Sequence, residues 1–362
     1  MKKMFFLIII TFIFINPVKA IENSATSAIL LDINSNRILY AKDIHNQRTV
    51  ASISKIMTAI VAIENKNIKD KITIGDEINT SYGSGIYIKQ GEVLTLEDLL
   101  YGLMLRSGND AALAIAKYVG GSVENFVEMM NNKAKQLGMT NSIFNNPSGL
   151  DQENGNFSTA YDMAILTSYA YQNETFRKII GTKTYKLVTN KNSYLWNNKH
   201  KLLRSYKYST GGKTGFTEKA RRTLVTTASK DSLNLVAVTL NDGNDWQDHI
   251  NLFEYGFNNY KNYEIINKGK IDIYDDIYYS DYDLYVKDSF SYAMTEEESK
   301  HIIVKFELEK KRIIENNTVV GKVKIYLMDK QIGEKEIYVT EKEKEKNKTN
   351  FQKLIEWFKN LW

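Results

Sequence analysis

Cysteine is absent from all 362 residues. That excludes a disulfide scaffold, a Cys-ligated zinc or iron–sulfur site and a thiol nucleophile, whatever the compartment. Histidine is scarce: His45, His200, His249 and His301 lie far apart with no His-x-x-x-His pair, so the zinc-protease signature is missing as well. Proline occurs only at positions 17 and 147. Long apolar runs are missing beyond residue 15, which excludes a multi-span membrane protein. With 43% apolar and 25% charged residues, the composition is that of a globular chain, neither collagen-like nor low-complexity.

The formal charge of +5 invites a polyanionic partner. Its distribution argues otherwise. Residues 1–20 begin with Lys2 and Lys3, continue through an apolar run at 4–15 and end in Val18-Lys19-Ala20, an export-signal pattern too short to span a bilayer. Those residues hold three lysines and no acid, so the remainder is close to neutral and no nucleic-acid partner is expected. At the other end, residues 341–348 form a mixed-charge linker. Thr349-x-x-Gln352 then resembles a capping box, followed by Phe351, Leu354, Ile355, Phe358, Leu361 and Trp362 at helical spacing. Such a helix, about 18 Å long at 1.5 Å per residue, suits a membrane interface rather than a span.

Between the ends, apolar runs at 27–33 and 37–42 around Asn34-Ser35-Asn36 predict a hairpin. Helical periodicity appears at 52–64, 95–105, 110–118 and 124–137. Residues 145–156, rich in Asn, Gly and Ser around Pro147, read as a loop. Helices at 160–171 and 174–180 lead to strands at 183–188, 211–217, 223–229 and 233–240, then a helix at 245–257. Strands near both ends with helices between predict an α/β body over residues 21–262, its sheet completed by the first hairpin. Beyond it, short alternating strands at 270–273, 284–286, 302–308, 320–327 and 335–339 predict a small β sandwich over 263–340. Its acidic opening, residues 272–298, reads as a solvated face because EF-hand spacing is lacking.

Three short motifs carry chemistry. Ser52-Ile53-Ser54-Lys55 places a hydroxyl and an amine three residues apart at a helix start, hence on one face. Serine attacks only when something takes its proton, and a lysine can do so once burial or a neighbouring cation keeps it neutral. Ser107-Gly108-Asn109 offers a second hydroxyl and a carboxamide at a helix junction, suited to passing a proton and holding an amide. Lys213-Thr214-Gly215 puts a cation and a hydroxyl on a strand where glycines allow an extended peptide to approach. A P-loop would need glycine at 207, where Lys207 stands. Neither a metal nor a cofactor is expected.

In this order the motifs form the signature of penicillin-interacting serine enzymes. The sequence resembles the D-alanyl-D-alanine carboxypeptidases among the low-molecular-mass penicillin-binding proteins. The resemblance runs through residues 51–59, 105–112, 146–150 and 212–217, the β region and the amphipathic tail. It implies a β-lactamase/transpeptidase-like α/β catalytic domain, an antiparallel sheet flanked by helices, before an all-β sandwich and a C-terminal amphipathic helix. It also implies that Ser52 attacks the bond between the last two D-alanines of a peptidoglycan stem peptide, with Lys55 as general base. Ser107 and Asn109 then relay the proton and hold the peptide. Lys213 and Thr214 bind the terminal carboxylate beside Gly215 and Thr217, and the amides of Ser52 and Phe216 form the oxyanion hole. β-Lactams would acylate the same serine, and the chain would act outside the cytoplasmic membrane, held to its surface by the tail.

Two departures stand out. The family's arginine before the last catalytic-domain helix is missing from Asn241-Asp242-Gly243-Asn244-Asp245-Trp246, and Ala220-Arg221-Arg222-Thr223 replaces a small, glycine-containing segment. Arg221 or Arg222 is expected to substitute. A class A β-lactamase would need a Glu-x-x-Leu-Asn loop that is absent here, whereas a D,D-endopeptidase or an idle cell-wall sensor shares the same motifs.

Overall fold

A computed structural model describes residues 21–151, 155–273, 278–311 and 315–342. The export-signal pattern and the amphipathic tail lie outside the described residues.

Strand β1 (Ser27–Asp32) is buried along its whole length, and β2 (Ile38–Lys42) returns beside it. The chain then forms α1 (Lys55–Asn65), α2 (Leu96–Tyr101), α3 (Asn109–Gly120), α4 (Val123–Gln136), α5 (Ala160–Tyr171) and α6 (Glu174–Gly181). A hairpin of β3 (Thr184–Val188) and β4 (Ser193–Asn197) precedes β5 (Ser209–Thr217), β6 (Arg221–Lys230), β7 (Leu233–Leu240) and α7 (Asp245–Asn259). The sheet order is β2-β1-β7-β6-β5, antiparallel throughout, so the N-terminal hairpin does complete it.

Both faces of this sheet are covered, because successive side chains of a strand point to opposite sides. From β1, Ile29 and Leu31 join the core beneath α1 to α6, while Leu30 joins Leu252 and Phe253 of α7 on the other face. That burial explains why β1 reads as a continuous apolar run rather than an alternation.

Local structure departs from the expected elements in informative places. The helix expected at 95–105 is α2, opened by a reciprocal Thr95/Asp98 capping box, followed by a π-helical turn at Gly102–Arg106. The helix expected from residue 52 begins as a 3-10 turn, Ala51–Ser54, that becomes α-helical at Lys55. Strand β4 escapes the sequence pattern because Leu195, 58% exposed, stands where alternation calls for a polar residue.

The remaining chain builds a smaller all-β unit. Strands β8 (Lys261–Ile266) and β10 (Phe290–Met294) pair with each other, while β9 (Tyr282–Val286), β11 (Ile302–Leu308), β12 (Thr318–Leu327) and β13 (Lys330–Glu341) form a second sheet. The strand expected at 270–273 shrinks to Gly269–Lys270. Val320, Val323, Ile325, Ile337 and Val339 fill its core. Arg37 joins the two units. Its guanidinium donates to both Glu298 oxygens, at 3.1 and 2.5 Å, and to the Ala293 carbonyl at 2.6 Å, and lies 5.3 Å from each of the Tyr260 and Tyr292 rings. Among the described residues no helix is long and apolar enough to cross a membrane.

Candidate active site

Ser52 sits in the 3-10 turn that precedes α1. Ala51 just before it has φ +50°, left-handed backbone that a residue with a Cβ adopts only when its surroundings hold it there. Three residues on, the buried Lys55 Nζ donates to Ser52 Oγ at 3.1 Å, to Asn109 Oδ1 at 2.8 Å and to the Ser148 carbonyl. Burial, aided by repulsion from Lys199 and opposed by Asp110, lowers Lys55 to about 7.

Ser107 reaches the same place by a different device. The π-helical turn ends on Ser107 itself at φ +65°, which ends the helix and begins α3 two residues later, so that hydroxyl and Asn109 amide project together. Lys213 Nζ, also buried, donates to Ser107 Oγ at 3.1 Å and to the Thr214 carbonyl at 2.7 Å. Burial and repulsion from Lys55 and Lys199 push Lys213 well below the ordinary lysine range. Strand β5 lies so close to the Ser52 turn that a Cβ on Gly215 would stand 3.0 Å from the Ser52 amide nitrogen and 2.4 Å from Thr223 Oγ1.

Ser52, Ser107, Thr214, Gly215 and Phe216 thus share the wall of one cleft of about 350 Å³. Thr217 lies beyond it, its hydroxyl donating to Asp151. Arg222 lines the cleft and is held by Asp245 through Nε at 3.1 Å and Nη2 at 2.6 Å. Arg221 stands exposed at φ +57° on the corner opening β6, outside that wall. A second cleft of about 410 Å³ opens on the other side of Asn109, between Tyr82, Leu113, Val123, Pro147 and Leu150. Sequence reasoning missed the Ser148 carbonyl and Lys199. Residues 146–150 enter the sequence reading only through the family resemblance, and no spacing rule marks Lys199. The distant His200 and His249 also meet, both within 2.9 Å of Thr226 Oγ1, and burial lowers His200 to about 4 and His249 well below its usual value.

Residues 15–244 match the family profile described as D-alanyl-D-alanine carboxypeptidase. The chain belongs to this family. Residues 260–345 match a second profile, the C-terminal domain of penicillin-binding protein 5. Among curated relatives of this carboxypeptidase-family chain, DacD of Escherichia coli is 32% identical over 86% of this chain and 85% of its own length. DacF of Bacillus subtilis is 37% identical over 60% of this chain, a match spanning 57% of that protein. Penicillin binding protein 5 from Haemophilus influenzae superposes with a TM-score of 0.73 at 26% identity, over 88% of this chain and 97% of that one. Penicillin binding protein 6B from Escherichia coli gives 0.69 at 27% identity, over 87% and 95%. As a member of the family the chain is a serine peptidase of cell-wall metabolism, with an α/β catalytic unit followed by a β unit.

Proposed function

We propose that the chain removes the terminal D-alanine from peptidoglycan stem pentapeptides through an acyl-enzyme on Ser52. The observation that carries this reading is the buried Lys55 ammonium position, shared between Ser52 Oγ and Asn109 Oδ1. Once neutral, Lys55 takes the Ser52 proton as Oγ bonds to the carbonyl carbon of the penultimate D-alanine. The developing oxyanion is received by the amides of Ser52 and Phe216, a contribution of about 3 kcal/mol per donor in comparable sites. The C–N bond then breaks as the proton taken up by Lys55 passes through Ser107, whose hydroxyl Lys213 positions, to the leaving amine, which leaves Lys55 neutral again. Asn109 holds the acyl portion of the peptide. Water, deprotonated by the same lysine, cleaves the ester and restores Ser52.

Among the described residues lining the Ser52 cleft, the one carboxylate is Asp245, already held by Arg222. A lactamase of class A type deacylates with a glutamate, so this lining supports a peptidase that penicillins trap. Labelling with a fluorescent penicillin tests the reading: the wild-type chain is expected to carry one adduct and Ser52→Ala none, and an undiminished adduct on Ser52→Ala would refute it. Release of D-alanine from a pentapeptide, with no monomers freed from a cross-linked dimer, would separate carboxypeptidase from endopeptidase action.

The reading extends to residues 1–20 as a removed export signal, 21–262 as the catalytic domain, 263–340 as the β domain and 341–362 as linker and membrane foot. The helical spacing of Phe351, Leu354, Ile355, Phe358 and Trp362 in the sequence supports the last of these. A chain ending at residue 342 is expected to stay in the supernatant when sedimented with anionic lipid vesicles, while the full-length chain pellets. Equal pelleting would remove the membrane foot.

A further inference from the structure

The near-neutral sum of the chain beyond residue 20 conceals an uneven distribution. Residues 175–217 hold ten lysines and arginines and no aspartate or glutamate. Lys213 is buried in the Ser52 site, and Lys178 pairs with Glu97. Five of the others, Lys183, Lys186, Lys199, Lys201 and Arg204, gather at the β3–β4 hairpin and the chain that leaves it, all of them exposed. Thr184, Lys186 and Val188 alternate outward on β3, opposite Asn197, Leu195 and Ser193 of β4, so no carboxylate faces Lys186 across the hairpin. Arg204 reaches back to the hairpin base, donating from Nη2 to the Lys183 carbonyl at 2.7 Å and from Nη1 to the Asn198 carbonyl at 3.2 Å. Arg106 arrives at the same base from the turn before Ser107 and donates to the Asn197 carbonyl at 3.3 Å. Burial and the nearby Arg106 together hold Lys199 below the ordinary lysine range. Carbonyl oxygens orient the two guanidiniums without neutralising them, and each has further donors among its five N–H groups.

Acids that meet the hairpin do so from its inner side and are occupied there, Glu92 by Thr189 and Tyr194, Asp98 by Thr95 and Tyr185. Among the described residues, none of the six cations forms an ion pair. The β unit of the same chain is arranged differently: Lys322 meets Glu334 at 2.6 Å, Lys324 meets Glu307 at 2.7 Å and Lys311 meets Glu309 at 2.8 Å. Exposed cations that repel one another with no acid among them cost folding stability rather than supply it, so their gathering points to an anion from outside. Their spread selects its kind. Strand β3 alone is about 17 Å long at about 3.3 Å per residue, and the cations continue past it to Lys201 at the Ser52 cleft. A single small ion would meet one or two of them, whereas an extended chain with a charge on every repeat would meet them all. A flat lipid surface laid on all six would also cover the Ser52 cleft, which Lys199 and Lys201 line, while a linear polymer along the hairpin leaves it open. Phosphate is the repeat these side chains suit, since arginine binds two of its oxygens at once and lysine serves as a point charge.

We propose that this face docks the enzyme on a linear, phosphodiester-linked anionic polymer of the cell wall, which holds the Ser52 cleft beside the peptidoglycan. The proposal does not depend on the acyl-enzyme reading of Ser52. Long-chain inorganic polyphosphate serves as the probe, titrated into the full-length chain by calorimetry at several salt concentrations. Wild type is expected to bind, with an affinity that falls steeply as salt rises, because each neutralised phosphate releases counterions. Lys183→Gln/Lys186→Gln should bind about 10- to 30-fold more weakly and lower the slope of log K against log salt by about 2. The same variant should unfold at the wild-type temperature and take fluorescent penicillin at the wild-type rate, since neither lysine lines the Ser52 cleft. Lys322→Gln/Lys324→Gln removes an equal charge from the β unit and should change binding by no more than about 2-fold. Equal losses in the two variants, equal affinity for poly-L-glutamate, or no binding by wild type at low salt would overturn the proposal. So would reduced pelleting of Lys183→Gln/Lys186→Gln with anionic lipid vesicles, which would give the face to lipid. Wild-type self-association that this variant abolishes would give it to a second copy and overturn the proposal as well.

Discussion

Replacing Lys55 with alanine is expected to slow penicillin acylation, and D-alanine release with it, by about 10³- to 10⁴-fold, the span of a positioned general base. Ser52 would remain in place but lose the group that accepts its proton at 3.1 Å. Lys55→Arg should fail as badly, because a guanidinium in a protein does not give up its proton. The wild-type pH profile follows from the same geometry. Burial disfavours the ammonium, and Lys199 adds repulsion. Asp110 opposes them weakly, since its carboxylate is already occupied by the amides of Ile86, Tyr87 and Ala111. With Lys55 near 7, about half the molecules hold a neutral base at neutral pH and about a tenth at pH 6. The acylation rate constant, measured by stopped-flow, should therefore rise with pH through about 7 and level off above it. A rate that stays flat between pH 5 and 9 would contradict Lys55 as the base.

How much of this could be read from the residues alone depends on what kind of signal each contact leaves. Ser52 and Lys55 are neighbours through helical spacing, so a local pattern suffices to pair them. Lys213 meets Ser107 across more than a hundred residues, and only the order of the motifs hinted at that meeting. The Ser148 carbonyl on Lys55 left no signal, since a backbone acceptor is available to any residue type. Lys199 is placed by its buried neighbours Asn198 and His200 rather than by its own identity, which no spacing rule detects. Arg222 shows the opposite failure. A guanidinium in the right stretch looked free until the sheet brought it against Asp245 at the start of α7. In the fold, β7 was legible because it is almost wholly apolar, whereas β5, Ser209–Thr217, was marked by its glycines and its Lys-Thr-Gly motif rather than by an apolar run. The π-helical turn before Ser107 was not, since its sequence continues the apolar pattern of α2 without a break.

Gly149→Ala should damage both stability and acylation, although residue 149 touches no substrate in the mechanism. Its φ of +81° already disfavours a Cβ, and that Cβ would stand 2.1 Å from the Ala51 carbonyl oxygen and 2.5 Å from Ser54 Oγ. A carbonyl oxygen is not a flexible side-chain end. To make room, the strained turn at Ala51 or the loop at 146–150 must shift, and each holds part of the site. Ala51 sets the direction of Ser52, while Ser148 gives its carbonyl to Lys55 and shares Asn146 Oδ1 with the Gly149 amide, at 3.1 and 2.6 Å. We expect a loss of about 3 kcal/mol or more in unfolding free energy, combining backbone strain with overpacking. Penicillin acylation should fall at least about 10-fold, as a displaced base would require. Gly138→Ala supplies the comparison, with φ +70° and nothing within 4 Å of the added methyl. It should lose only about 1 kcal/mol, the cost of left-handed backbone, and acylate normally. Thermal unfolding of the two variants, read beside their acylation rates, separates strain from collision. If Gly149→Ala behaved like Gly138→Ala, the loop would not be pressed against the nucleophile turn, and the Ser148 carbonyl could not be what fixes the Lys55 amine.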